Sequence, residues 1–328
     1  MPLQLPVEVL GRIVACLFTD NGSKSSPDIL NLLVVSPTFK TETERLVYVN
    51  LNLKGLRQVL QCLSTIDKRP HLARLVRSLT IRVPLTEEPP NLPIFEMFQT
   101  DAEVMRASEL HRLRNVNLGR VLKPFARLVT RTLAKLANLI DYSLSMGLLQ
   151  RLPRNENYFV SIFLPSPASF RLRRLAIDVN WTESVRQFLI TQPSITDLIA
   201  PEFFPLNEME GLTFPRTALP NLRGLAASAQ VAAQLVPGRP VRKVIMKELV
   251  LRASTLGKIS DALPFLAQST TKLKILDIAI REVGMAIETL WPTMALLFPE
   301  LETIALRRES ITPESTVSYQ ESNATRYI

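Results

Sequence analysis

The sequence predicts an α/β protein in which a small N-terminal helical unit precedes a solenoid of short parallel strands and covering helices. Three observations carry that expectation. A six-residue phrase, apolar at its first and fourth positions and apolar or small at its sixth, returns nine times from Val76 onward. The segments between phrases have helical periodicity, each with its own apolar stripe. The first fifty residues instead hold three runs of helical spacing.

Pro6 has a fixed φ and lacks the donor that a first helical turn leaves unused, so a helix starts there and runs to about Phe18. At 100° per residue, Leu5, Val9, Ile13, Leu17, Leu10, Val14 and Phe18 cover about 220° of its circumference, roughly twice the stripe of a one-sided helix. Only Glu8, Gly11 and Arg12 hold the remaining sector. Such a helix either lies deep in a core or buries one side at home and the other in a partner. Thr19 to Pro27, TDNGSKSSP, is a polar loop that ends it. Asp28 caps a second helix, DILNLLVV, and Ser36-Pro37 in SPTF imposes a break before KTETERLVYV resumes helical spacing. Residues 1–53 thus form a three-helix unit whose apolar surface exceeds what so small a unit can cover.

The repeats occupy residues 54–308. The phrase reads VRSLTI from Val76, LRNVNL from Leu113, LIDYSL from Leu139, LRRLAI from Leu172 and ITDLIA from Ile195. It continues as LRGLAA from Leu222, VRKVIM from Val241, LKILDI from Leu273 and LETIAL from Leu301. The starts lie 19 to 37 residues apart, and self-similarity of this kind means a solenoid. In a strand the fourth and sixth residues share one face while the residues beside them point the other way. Nine such strands stacked in parallel give a buried ladder behind and a variable ladder in front. GLRQVLQCLSTI, RVLKPFARLVTRTLAKL, TESVRQFLI, SAQVAAQLV, TLGKISDALPFLAQS and VGMAIETLWPTMALLF would form the helices that cover the back. One strand and one helix per repeat, with right-handed crossovers, describe a leucine-rich-repeat horseshoe. Its spacing is irregular, and the asparagine expected after the third apolar position is mostly absent.

If the repeats bind a ligand, the front ladder makes the contacts: Ser78, Thr80, Arg82, Asn115, Asn117, Asp141, Ser143, Arg174, Asp178, Asp197, Lys243, Lys247, Asp277 and Arg307. Charges of both signs mingle there, so no single ligand class follows. Arg77, Arg114, Arg173, Arg223, Arg242 and Lys274 stand directly after the first apolar residue in six of the nine phrases. A solvated, structural role is expected for them. Residues 309–328 are polar and aperiodic, and a disordered tail is expected.

The 328 residues carry a net charge of +9, and the excess is uneven. Residues 1–50 hold 4 basic and 5 acidic groups, residues 51–183 hold 20 and 11, and residues 184–328 hold 15 and 14. Arg120, Lys123, Arg127, Arg131 and Lys135 fall three or four apart and form one basic stripe on a helix. Two readings stay open: a solvated face, or a docking surface for an acidic partner. Nucleic acid is not expected, because neither interleaved aromatics nor zinc-finger spacing accompanies the charge. No apolar run is long enough to span a membrane. The first residues lack a basic n-region and a small-residue cleavage site, so secretion is not expected. Cys16 and Cys62, both in apolar segments, read as reduced core residues of a cytosolic or nuclear protein.

The chain offers little to catalysis. Neither G-x-x-x-x-G-K-[ST] nor G-x-G-x-x-G occurs. His71 and His111 are the two histidines and lie forty residues apart in different repeats. No G-x-S-x-G elbow or H-E-x-x-H helix is present. No catalytic residue, metal or cofactor is expected.

The two halves together resemble a known combination. The F-box pattern runs L-P-x-E-[LIV]-L-x-x-I-x-x-x-L, and Leu5, Pro6, Glu8, Val9, Leu10, Ile13 and Leu17 satisfy it. Its second helix is matched by Asp28, Ile29, Leu30, Val35, Ser36 and Phe39, with Pro37 where a basic residue is usual. Tyr48 stands where the closing aromatic is more often Trp or Phe, and the loop between the first two helices is longer than usual. The chain resembles F-box proteins with degenerate leucine-rich repeats, of the kind numerous in mushroom-forming fungi. That resemblance implies a subunit that catalyses nothing itself. Its F-box packs on the adaptor of an SCF-type cullin-RING ubiquitin ligase, and its repeats hold a protein substrate. Leu5, Pro6, Val9, Ile13, Leu17, Ile29, Leu33 and Phe39 would face the adaptor, while Leu10, Val14, Leu30, Leu46 and Val47 hold the helices together. The alternative is a repeat scaffold whose N-terminal helices merely cap the first strand.

Overall fold

The computed structural model describes residues 36–83, 118–146, 163–178, 181–200, 214–247, 254–280 and 283–308. Nine parallel strands form one sheet whose spatial order is the chain order. They are β1 (Asn50–Lys54), β2 (Ser78–Val83), β3 (Asp141–Met146), β4 (Arg174–Asp178), β5 (Asp197–Ala200), β6 (Gly224–Ala227), β7 (Lys243–Lys247), β8 (Ile275–Ile280) and β9 (Thr303–Arg308). The described helices are α1 (Pro37–Val49), α2 (Leu56–Lys68), α3 (Pro70–Ala73), α4 (Leu118–Leu133), α5 (Glu183–Ile190), α6 (Ala229–Leu235), α7 (Ser254–Leu266) and α8 (Val283–Leu297). The α/β class and the solenoid-like succession of one strand beside the next agree with expectation. Each of the six interphrase segments contains a helix.

Two boundaries differ. Ser36 is the N-cap of α1, accepting from the Phe39 amide at 3.2 Å, and Pro37 opens the first turn. Phe39 therefore belongs to the closing helix and not to the tail of the one before it. The sheet begins at Asn50, four residues ahead of the expected start of the repeats. NLNLK is too short for the full phrase, yet it alternates exposed and buried residues, with Leu51 and Leu53 inward.

Among the described residues no strand stands between β2 and β3. β2 pairs directly with β3, Leu79 beside Tyr142 and Ile81 beside Leu144. Leu118, the last residue of LRNVNL, opens α4, and residues 113–117 lie outside the described residues. Apolar residues three apart suit a helix as well as a strand, so the phrase alone does not decide.

Two apolar ladders run behind the sheet. Leu51, Leu79, Tyr142, Leu175, Leu198, Leu225, Val244 and Leu276 form the first, and Leu53, Ile81, Leu144, Ile177, Ala200, Ala227, Met246 and Ile278 the second, all buried. Where the strands start, single carbonyls accept two amides from the next strand. Arg77 O takes Ile140 N and Asp141 N at 2.8 and 3.0 Å, and Ile140 O takes Arg173 N and Arg174 N at 2.8 and 3.2 Å. The same arrangement continues through Arg173, Thr196, Arg223, Arg242 and Lys274. Side chains tie the turns before the strands as well: Asn138 Nδ2 donates to Arg74 O at 2.7 Å, and Asn221 Nδ2 to Pro193 O at 3.0 Å. Asparagines thus do serve the stack, one residue ahead of the phrase instead of after it.

Arg239 is the one fully buried cation among the described residues. Its guanidinium donates from Nε to Ala218 O at 2.7 Å, from Nη2 to Pro215 O at 2.9 Å, and from Nη1 to Leu235 O at 2.8 Å, with Gln234 O and Pro237 O at 3.3 Å. Carbonyls at the C-terminal end of α6 and in the 215–218 turn thus replace a carboxylate partner, and the α6 dipole favours the charge there. Burial pushes the Arg239 pKa down from its ordinary value. Gly238 turns the chain into this position at φ 74°. Tyr142 is the reverse case. It occupies an aliphatic ladder position with its hydroxyl buried and without a hydrogen-bond partner among the described residues.

Two stability measurements follow. Arg239→Met leaves five carbonyls short of a donor and is expected to destabilise the fold by about 3 kcal/mol in chemical unfolding. Tyr142→Phe removes an unsatisfied hydroxyl at nearly constant shape and is expected to stabilise by about 1 kcal/mol, read as a raised midpoint in the same titration.

Candidate binding surface

The alternation that buries the two ladders leaves every other residue of each strand on the open face. Over β1–β3 those residues are Asn50, Asn52, Lys54, Ser78, Thr80, Arg82, Asp141, Ser143 and Ser145, polar throughout. From β4 to β7 the middle row becomes apolar: Ala176, Ile199, Ala226 and Ile245 stand side by side in register. The face is therefore divided into a polar half and a half with an apolar trough. The divide lies at the bidentate pair of Arg174 and Asp141, whose bonds measure 3.0 and 2.9 Å.

Asp197 is held by the Thr196 hydroxyl at 2.8 Å and leans over Gly224. A Cβ at position 224 would lie 2.6 Å from the Asp197 carboxylate, so glycine is what lets that side chain rest there. Asp197 is one of the front-ladder residues the strand spacing singles out, whereas Gly224 is not, because the contact joins adjacent strands 27 residues apart in the chain.

Several front-ladder expectations meet this surface unevenly. Lys243 and Arg174 are exposed, while Thr80, Arg82 and Asp141 are half-buried. Asp178 and Asp277 correct the expectation. Each is only 5% exposed, and Asp178 accepts from Ser145 Oγ at 3.1 Å. Side chains so little exposed belong to the structure more than to a ligand. Lys247 and Arg307 lie on β7 and β9 by register. Asn115 and Asn117 lie outside the described residues, as do Leu5, Pro6, Val9, Ile13, Leu17, Ile29 and Leu33. Phe39 is half-buried on α1.

The basic stripe does not stand free. Arg131 and Lys135 both reach Asp67 at the end of α2, at 2.5 and 2.6 Å, and Lys135 also donates to the Asp67 carbonyl at 2.8 Å. The buried Thr132 hydroxyl donates to Leu63 O between them. Two of the five cations thus clamp α4 to α2. Arg127 is exposed, and Arg120 and Lys123 lie in the first turns of α4. Burial would raise the Asp67 carboxyl, but hydrogen bonds from Lys135 and Arg131 outweigh it, and the group sits below its ordinary value.

Reactive groups do not converge on this face. His71 is exposed with its Nε2 3.5 Å from Glu44 on α1. Burial pushes the Cys62 thiol up to about 12, away from nucleophilic use at neutral pH. No cluster of three or more His, Cys, Asp or Glu able to hold a metal occurs among the described residues. A cleft of about 250 Å³ lies between the ends of α7 and α8, but its charged lining groups, Lys272 and Glu300, pair with one another. No helix among the described residues is long and apolar enough to cross a membrane. No protein family matches the chain, and no curated protein matches it as a relative.

The Asp67 clamp has a pH signature. A carboxyl whose folded pKa is depressed adds stability above its unfolded pKa, near 3.9, and loses it as pH falls through the lower folded value. Asp67→Asn is therefore expected to lower the melting temperature at pH 6, with the gap to the unmodified protein closing as the pH is taken below about 4. A gap that stays constant with pH would remove the ion pairs from the account of α2–α4 packing.

Proposed function

We propose that this protein is the substrate receptor of an SCF-type cullin-RING ubiquitin ligase. Its N-terminal helices dock on the adaptor subunit, and its leucine-rich repeats hold a protein substrate on the open face. The chain performs no chemistry, and the cullin and RING subunits reached through the adaptor supply it. The F-box-like pattern from Leu5 to Tyr48 is the sequence support.

The observation that carries the reading is the junction between the two halves. α1 ends at Val49, Val49 O accepts from Arg77 N at 3.0 Å, and Asn50 is already paired with Ser78. No linker intervenes. Glu44 adds contacts from α1 to Arg69 at 3.9 Å and to His71. A receptor must hold its substrate at a set distance from the docking site, and a helix that runs straight into the first strand does so. The same junction favours a second reading, a non-catalytic repeat scaffold whose helices only cap the edge strand β1.

Co-expression with the adaptor separates the two. A one-to-one complex that is lost in Ile13→Asp, with the melting transition of the repeats unchanged, is the receptor's expected result. A charge buried unpaired in that interface costs several kcal/mol, ample to abolish co-purification. Failure of the unmodified protein to form a complex would leave the scaffold.

A further inference from the structure

The rim where the strands start carries a second pattern that the alternating ladders do not explain. Arg77, Arg173, Arg223 and Arg242 occupy equivalent places there, each backbone locked by the carbonyl-to-amide ladder described above. All four side chains are exposed, and none has an ion pair or side-chain hydrogen bond among the described residues. Lys243, the next residue on β7, is exposed and unpaired in the same sense.

The contrast with other cations is informative. Lys274 continues the same row on β8 but pairs with Glu302, its equivalent on β9. Arg174 is taken up by Asp141, and Arg131 and Lys135 by Asp67. Where the fold needs a positive charge, it supplies the carboxylate. On the rim row from β2 to β7 the two intervening places hold Ile140 and Thr196, and of the carboxylates in the next row Asp141 is taken by Arg174 while Asp197 rests on the Thr196 hydroxyl. Like charges held along one edge repel each other, and an external anion relieves that cost.

We infer that this rim binds an extended acidic segment of a protein partner. The inference rests on the receptor reading only in calling that partner a substrate. Five strand steps of about 4.8 Å separate β2 from β7, a span of about seven residues of extended chain. Acidic side chains of such a segment face the arginines. Single-stranded nucleic acid carries the same charge but needs aromatic platforms, and no described strand offers an aromatic side chain to the open face.

The test uses the full chain and a fluorescein-labelled peptide of about ten residues alternating glutamate and alanine, followed by fluorescence anisotropy. Arg173→Gln/Arg223→Gln/Arg242→Gln is expected to weaken binding about tenfold, against about twofold or less for the charge-matched Lys40→Gln/Arg57→Gln/Lys68→Gln. Equal losses in the two triple variants would overturn the inference, as would absence of binding or tighter binding of an oligothymidylate of equal charge. Should the triple rim variant fail to melt like the parent, Arg223→Gln and Arg242→Gln singly are read against Arg57→Gln in the same way. The assay contains no adaptor, so its failure leaves docking by the N-terminal helices intact, and loss of docking in Ile13→Asp leaves the rim result standing.

Discussion

The structure depends on one arrangement, the parallel ladder in which each strand hands its starting carbonyl to two amides of the next. A parallel sheet built one strand per repeat has no hairpins to fix its register. Register must come from the backbone ladder and from the side chains that tie one turn to the turn before. The carbonyls of Arg77, Ile140, Arg173, Thr196, Arg223, Arg242 and Lys274 form that line. Because it is made by backbone atoms, the side chains at the same places are free to be chosen for something else.

Burial follows from that arrangement. Each strand turns two side chains toward the helices, and one core connects β1 to β8 without a break. Nearest-neighbour stacking of this kind makes stability a sum of repeat and interface contributions, so a local defect is felt by its neighbours first. The Arg239 cluster shows how an irregular repeat is held. The shortest interval between phrases, from Leu222 to Val241, leaves room for only the seven-residue α6. A buried guanidinium donates to the carbonyls open at the C-terminal end of α6 and to two in the 215–218 turn, tying them together.

Charge is distributed by the same logic. Cations that hold helices or strands together meet carboxylates from the same chain, as Asp67 and Asp141 show. Arg77, Arg173, Arg223 and Arg242 on the strand-start rim do not, among the described residues. The excess of positive charge seen in the sequence between residues 51 and 183 therefore separates into a part used in packing and a part turned outward.

The sequence by itself determined the α/β class, the eight phrases that became β2–β9 and the six interphrase helices, because period-two and period-3.6 burial are local properties of a chain. Ser36-Pro37 is legible there only as a break; that Ser36 caps α1 and Pro37 opens it sets the start three residues ahead of Lys40. Tertiary structure decided what local pattern leaves open. β1 is a strand because β2 pairs with it, and the direct pairing of β2 with β3 leaves no place between them for LRNVNL. Asp178 is buried beside the Ser145 hydroxyl of the neighbouring strand, and Gly224 matters only because Asp197 leans across it. Arg131 and Lys135 changed from an open stripe to a clamp once α2 brought Asp67 within reach. In each case the deciding contact joins residues far apart in the chain, and spacing along one segment carries no record of such contacts.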